Sequence, residues 1–372
     1  MNRPTLLFLS GGGHTGRNII AALGSRRASL RLVTCTDVAD EPSLFTFDSV
    51  YLAPAISQDP NGFAARFTQA LADERPALVI PCRDEDVAWL ALYAQSHPAA
   101  DTTFLCGSAA VAQTVTDKWL SATFCALHDL PFVPTTLSGQ ESSLDAFISE
   151  NGLPLVAKPR IGAEGRGIFI VSTRQQAHKA LKLPGYVLQK YLGEAQTVTS
   201  LLQDIENVGI PLFHTLEGRK RSIQILIGPQ GVLEHVVCTI NEHTGRNARC
   251  ISIDATPQAR EIGYRCAAVF AKAGWRGPLN IQCQPDAAGA LQIHEFNARF
   301  TGATAARTLL GFDEVGVAVR AFTGLILDSL PESGNPQNAR ESLAARAIDD
   351  TGVAQLQRDG AWERTTPPQR LS

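Results

Sequence analysis

Three stretches of this sequence combine residue types in an order that could bind and transfer a charged group. The first is Gly11-Gly12-Gly13-His14-Thr15-Gly16, a G-x-G-x-x-G pattern between an apolar run and a helix-like segment, with Asp37 about 20 residues on. Three readings stay open: a dinucleotide loop with Asp37 on a ribose, a backbone N–H cradle for another anion, or a tight strand-to-helix turn. A Walker A loop is excluded, because Gly16-Arg17-Asn18 lacks the Gly-Lys-Ser/Thr ending. The second stretch runs Pro154-Leu155-Val156-Ala157-Lys158-Pro159-Arg160, then Gly162-Ala163-Glu164-Gly165-Arg166-Gly167. A lysine inside an apolar strand is costly unless its ammonium meets an anion, and a glycine-rich loop beside it can lay backbone N–H groups over phosphates. Lys158 with Gly162, Gly165 and Gly167 thus reads as a phosphate clamp; the alternative is a surface hairpin whose lysine turns outward.

The third stretch pairs Leu279-Asn280-Ile281-Gln282 with His294-Glu295-Phe296-Asn297-Ala298-Arg299. Alternate residues of a strand share a face, so Glu295, Asn297 and Arg299 point one way. A carboxylate, an amide oxygen and a neighbouring Gln282 make an oxygen set suited to Mg²⁺, and Arg299 suits the charge on a transferred phosphoryl group. A solvated strand face carrying an ion pair would show the same alternation.

These residues need elements to hold them. Over residues 5–110, short apolar runs (Leu6-Leu7-Phe8-Leu9, Leu30-Arg31-Leu32-Val33-Thr34, Ala77-Leu78-Val79-Ile80, Thr103-Phe104-Leu105-Cys106) alternate with helix-length amphipathic segments. That rhythm predicts βαβ units and a doubly wound parallel sheet. From about 111 come a helix over Asp117–His128, a hairpin of Leu155–Pro159 with Gly167–Val171, strands at 186–190, 222–228, 231–240, 279–284 and 290–296, and a helix over Pro257–Ala273. The stretch Pro331-Glu332-Ser333-Gly334-Asn335-Pro336 reads as a linker to an accessory tail.

With 372 residues, 44% of them hydrophobic and 19% charged, the chain is large enough for two or three packed units and too apolar for wholesale disorder. Its net charge, 33 − 36 = −3, offers no field for nucleic acid or an anionic membrane, so the partners are expected to be small molecules. The opening residues are too short an apolar run for an export signal, and no apolar stretch approaches the ~20 residues that cross a bilayer, so a cytoplasmic location is expected. The eight cysteines form no Cys-x-x-Cys pair and read as reduced core residues; His14, His128, His214, His235, His243 and His294 show no zinc-like spacing.

Taken in order, Lys118, Lys158-Pro159-Arg160 with its glycine loop, Gln189-Lys190-Tyr191-Leu192 and Glu295-Phe296-Asn297-Ala298-Arg299 resemble the motifs of the ATP-grasp superfamily, in its carbamoyl-phosphate-synthase-like carboxylate-amine ligase branch. The resemblance spans about residues 5–325. It implies a pre-ATP-grasp doubly wound domain (1–110), an N-terminal lobe with a glycine-rich lid (111–187), a C-terminal lobe with the metal site (188–325) and an accessory segment (326–372). It further implies ATP between two lobes, with Mg²⁺ (or Mn²⁺) on Gln282, Glu295 and Asn297. Lys118 and Lys158 would touch phosphates, the backbone of 189–192 would read adenine, and Lys158 and Arg299 would act in catalysis. The implied reaction phosphorylates a carboxylate and lets an amine displace the phosphate, with Glu164 and Arg166 as candidates for lid closure.

Two departures from the family pattern stand out. The acid that usually follows the hinge and holds the ribose is absent from the expected place, since Leu192-Gly193-Glu194 leads into an excursion over 194–217 and then Arg219-Lys220-Arg221; Glu194 or Glu217 would have to substitute. Ala298 stands where relatives commonly carry Pro. Rival expectations are an ATP-binding module without turnover and an NAD-dependent oxidoreductase. For assembly, a homodimer is the default expectation.

Overall fold

The computed structural model describes residues 3–97, 101–139, 141–162, 165–210, 219–244 and 247–328. The lid residues Ala163 and Glu164, the stretch 211–218 with Glu217, and the linker and tail from residue 329 lie outside the described residues. The chain divides into two compact units, one made of Met1–Leu105 with the segment from Phe300 onward, the other of Cys106–Arg299.

In the first unit β1 (Thr5–Leu9), α1 (His14–Leu23), β2 (Arg31–Thr36), β3 (Ser49–Leu52), α2 (Pro60–Glu74), β4 (Leu78–Pro81), α3 (Asp84–Ser96) and β5 (Thr103–Phe104) follow one another. The strands lie in the order β3-β2-β1-β4-β5 and every pairing is parallel, the doubly wound arrangement expected from the alternating apolar runs. β1 and β4 are buried along their whole length because a parallel sheet is covered on both faces.

The second unit contains α4 (Ala109–Thr116), α5 (Lys118–Leu127), β6 (Thr135–Leu137), α6 (Glu141–Asn151), β7 (Leu155–Pro159), β8 (Phe169–Val171), α7 (Arg174–Leu181), β9 (Tyr186–Lys190), α8 (Ala195–Asn207), β10 (Arg219–Ile227), β11 (Leu233–Thr244), β12 (Asn247–Ile253), α9 (Pro257–Lys272), β13 (Gly277–Pro285) and β14 (Leu291–Asn297). They form two antiparallel sheets, β6-β9-β7-β8 and β12-β11-β10-β13-β14. Leu155, Ala157 and Leu188 on one face of the smaller sheet pack with Leu144 and Ile148 of α6 and Ala177, Ala180 and Leu181 of α7, which leaves Val156, Lys158 and Gln189 on the other face. On the larger sheet Ile223, Ile225 and Val236 meet α9 where Gly263 lets the helix approach. The helix α8 and strand β12 occupy stretches where the sequence reading names neither.

From Phe300 the described chain rejoins the first unit through α10 (Thr304–Leu309) and α11 (Glu314–Thr323). The buried Arg26 guanidinium donates to Asp313, the N-cap of α11, at 2.7 Å through Nη2, and Thr103 Oγ1 donates to Phe322 O at 3.2 Å. A boundary expected at residue 325 carries no sign of this, because Arg26 and Asp313 are 287 residues apart in sequence. All eight cysteines are free and seven are buried, as expected of reduced core residues. Among the described residues no helix is long and apolar enough to cross a membrane.

Candidate functional site

Lys118 is placed by the capping of α5. Asp117 accepts from the backbone N–H groups of Trp119 (2.9 Å) and Leu120 (3.3 Å), and its remaining capacity is taken by Arg160, at 2.6 Å from Nη2. The backbone N–H of Lys118 donates to Arg160 O at 3.0 Å, which locks the helix start to the end of β7. From this anchor the buried Lys118 Nζ reaches Glu295 Oε1 at 3.1 Å and donates to Gly162 O at 3.1 Å. Lys158, in the middle of β7, is 5% exposed, and its Nζ donates to the carbonyl of His294 at 3.1 Å. The two lysines therefore converge on β14 from a helix N-terminus and from the smaller sheet.

The charges shift one another. Burial raises the Glu295 carboxyl, but the ammonium groups of Lys118 and Lys158 outweigh it and hold the group down to about 2. Burial lowers Lys158 to about 8, with Lys118 and Lys220 pushing the same way and Glu295 opposing. His294 is lowered to about 3, first by burial and then by Lys158, so its imidazole is neutral. A lysine depressed on folding sets a sign for stability: below about pH 8 both the folded and unfolded forms carry the proton. Between 8 and 10.5 only the unfolded form keeps it, so the ligand-free chain gains stability as pH rises through that window. Denaturant titrations at pH 8 to 10 should show up to ~3 kcal/mol of this rise, at about 1.36 kcal/mol per pH unit, and Lys158→Met should remove it. Parallel pH slopes for the two proteins would contradict the assignment.

The larger sheet turns one polar face toward these lysines. Register places Glu295 opposite Gln282, Asn297 opposite Asn280, and Ser222 and Gln224 of β10 opposite Gln282 and Asn280. Asn280 Nδ2 donates to Ser222 Oγ (2.7 Å) and Gln224 Oε1 (3.0 Å), while Arg299 Nη2 donates to Asn297 Oδ1 (3.0 Å). Asn297 Nδ2 is buried with no hydrogen-bond partner among the described residues. Lys118, Lys158, Gln282, Glu295, Asn297 and Arg299 are thus gathered in one region. Asn280, Ser222 and Gln224 belong to it too, although no role is assigned to them from sequence. Their signal is the alternation Ser222-Ile223-Gln224-Ile225, a buried strand with polar groups on one side.

The hairpin of β7 and β8 forms as expected, and Gly165 and Gly167 both have φ of +70°, a conformation glycine adopts without strain. A Cβ on Gly167 would also stand 2.7 Å from the Tyr186 hydroxyl. Ile161, Ile168 and Phe169 flank the loop with exposed apolar side chains. On β9, Gln189 shares the face of Lys158, and its buried Nε2 has no hydrogen-bond partner among the described residues. Lys190 donates its backbone N–H to Pro134 O at 3.0 Å, Tyr191 and Leu192 follow, and a Cβ on Gly193 would collide with the Tyr191 ring. Glu194 stands exposed as the N-cap residue of α8, its charge acting on Tyr191.

The Gly11–Gly16 loop belongs to the first unit and is occupied by the unit's own groups. Gly11 N donates to Thr34 Oγ1 at 3.0 Å, Ser43 Oγ donates to Gly12 O, and the Glu41 carboxylate packs against Gly12. Asp37, the residue a ribose would need, ion-pairs with Arg83 at 2.9 Å. A Cβ on Gly16 would overlap Gly11 O, which accounts for the glycine through chain packing. The turn reading fits these contacts; the dinucleotide reading has no free acid to support it.

No family model matches the chain, and no curated protein matches it. Solved structures do. N5-carboxyaminoimidazole synthetase from Staphylococcus aureus, crystallised with ADP, superposes with a TM-score of 0.65 at 15% identity over 98% of this chain and 92% of that one. An L-amino acid ligase from Bacillus licheniformis gives 0.59 at 14% identity over 87% and 75%. The biotin carboxylase domain of Hydrogenobacter thermophilus 2-oxoglutarate carboxylase, a dimer crystallised with MgADP, ADP and bicarbonate, gives 0.59 at 17% identity over 90% and 72%. The chain has the fold of the ATP-grasp enzymes, with the doubly wound domain that precedes it.

Proposed function

We propose that this chain is an ATP- and Mg²⁺-dependent ligase that joins a carboxylic acid to an amine through an acyl phosphate. The observation that carries the proposal is the convergence of two buried lysines on adjacent residues of β14, Lys118 from α5 on the Glu295 carboxylate and Lys158 from β7 on the His294 carbonyl. Two buried ammonium groups (Lys118, Lys158) exceed what one carboxylate balances, and a polyphosphate with a divalent cation is the chemistry that completes such a set. Glu295 is charged at any physiological pH and Asn297 and Gln282 add amide oxygens on the same face, a donor set that leaves room for the waters Mg²⁺ retains. When bound, the cation would draw charge from the transferring phosphoryl group. Lys118 and Lys158 would bind phosphate oxygens, Arg299 would meet developing charge, and the loop at Gly162, Gly165 and Gly167 would close over the site and exclude water. The backbone of Gln189, Lys190, Tyr191 and Leu192 would read the base, with the Gln189 amide donor on the same side, and Glu194 is the described acid available to the ribose.

The solved structures of like fold are those of a synthetase, a ligase and a carboxylase, two with ADP, which supports this class of reaction without naming the substrates. Thermal unfolding with ligands is the first test. Mg²⁺ with ATP should raise the melting temperature and NADH should not, by mass action on the folded state. ADP release should then appear with a pool of carboxylates plus amines. Stabilisation by NADH alone, or none by Mg²⁺ with ATP, would end the proposal.

A further inference from the structure

Between two paired positions β14 carries one residue more than β13: Gln282 faces Glu295 and Cys283 faces Ile293, so His294 is the extra residue of a bulge. A bulge sets two residues against one and re-aims a side chain away from strict alternation. Ile293 lies in the core and Glu295 on the polar face, and the charges acting most strongly on the His294 ring are those of Lys158 and Glu295, both gathered at that face. The backbone carbonyl of the same residue holds Lys158 Nζ. The ring nitrogen Nε2 is buried and has no hydrogen-bond partner among the described residues, a costly state for an imidazole.

On the strength of the nucleotide-dependent reading above, we infer that His294 is a further substrate-contacting residue whose Nε2–H donates a hydrogen bond to an anionic oxygen held between Lys118 and Lys158. An imidazole nitrogen can give one N–H there, and the two buried ammonium groups of Lys118 and Lys158 beside the one carboxylate of Glu295 favour an acceptor that is negative. Two sources share that chemistry, the terminal phosphate of the nucleotide and the carboxylate of the co-substrate. None of the residues in the proposed phosphate and metal set requires this contact, so it is a separate property of the bulge.

The test uses the full chain with His294→Gln, which keeps a neutral donor, and His294→Leu, which removes it at similar volume. Calorimetry measures binding of ADP and of a non-hydrolysable ATP analogue, each with Mg²⁺, and ADP release gives the KM of the carboxylate that turns over. If the terminal phosphate is the partner, the leucine variant binds the ATP analogue roughly tenfold to a hundredfold more weakly, the worth of one hydrogen bond to a charged group, with ADP unchanged. If the carboxylate is the partner, both nucleotides bind normally and its KM rises by a similar factor. In either case the glutamine variant stays near wild type. Because Nε2 has no partner within the described chain, the ligand-free leucine variant should melt no lower than wild type. A lowered melting temperature with unaltered binding, or equal losses in both variants, would overturn the contact. Should wild type ignore nucleotides, the ligase proposal fails by itself. Tripolyphosphate then decides the contact: weaker binding by the leucine variant upholds it, and equal or absent binding overturns it.

Discussion

Glu295→Ala is expected to reduce ADP release on the order of 10³-fold, the scale on which removing one preorganised electrostatic partner acts. The carboxylate stands 3.1 Å from Lys118 Nζ, and it compensates Lys158 as well. Its loss would leave two buried ammonium groups without the carboxylate that offsets them and would remove the one charged oxygen donor proposed for the cation. Two effects could then be confused, a damaged fold and a damaged site. Glu295→Gln separates them, since it keeps volume and one oxygen acceptor while discarding the charge. A normal circular dichroism spectrum and melting curve with ADP release still down by this factor would place the defect in the site. Turnover unchanged in the folded glutamine variant would remove Glu295 from the proposed chemistry.

The second large effect concerns stability in the first unit. Arg307 and Glu314 are fully buried, with Nε donating to Oε1 at 2.9 Å and Nη2 standing 2.7 Å from the same oxygen. Nη2 also donates to Thr301 Oγ1 (3.0 Å) and Thr304 Oγ1 (3.2 Å), so one guanidinium ties α10 and the turn before it to α11. Arg307→Met leaves a charge in the interior and should cost about 3–5 kcal/mol in urea denaturation, the usual penalty for breaking a buried pair from one side. Glu314 Oε2 has no hydrogen-bond partner among the described residues, so the native pair is itself incompletely satisfied. Arg307→Met combined with Glu314→Leu should therefore recover most of the loss. A single variant as stable as wild type, or a double variant worse than the single, would contradict this account.

Much of the fold is legible in the chain because local rules and tertiary packing agree there. The apolar runs at Leu6–Leu9 and Leu78–Ile80 are strands since they are buried on both faces, and the hairpin of β7 with β8 follows from Leu155–Pro159, a glycine-rich connection and Phe169–Val171. Where local signals are weak, sequence reading falls short. α8 has a polar side and only Val198 buried, so it resembles a solvated stretch, and Asn247–Ile253 mixes charge with apolar residues in a strand that borders only β11. The motif at Gly11–Gly16 misleads for a related reason. Glycines chosen for close packing against Gly11 O and Glu41 look the same in sequence as glycines that cradle a phosphate.

The site divides along the same line. Sequence alone determined that Lys158 sits in a strand, that Glu295 and Asn297 share a face, and that Gln282 is within reach of a neighbouring strand, because strand geometry has a period of two and needs no partner to be read, whereas Arg299 lies past the end of β14 and reaches the site through Asn297. Only the tertiary structure decided that Lys118 and Lys158 meet the same short segment of β14, 136 residues beyond Lys158, and that Asp117 is spent on capping and on Arg160. It also decided that His294 departs from alternation through a bulge, that Asn280 joins the polar face, and that the segment after Phe300 returns to the first unit. The physical reason is that charge pairing, register and burial are properties of atoms brought together across the chain, whereas periodicity is a property of neighbours along it.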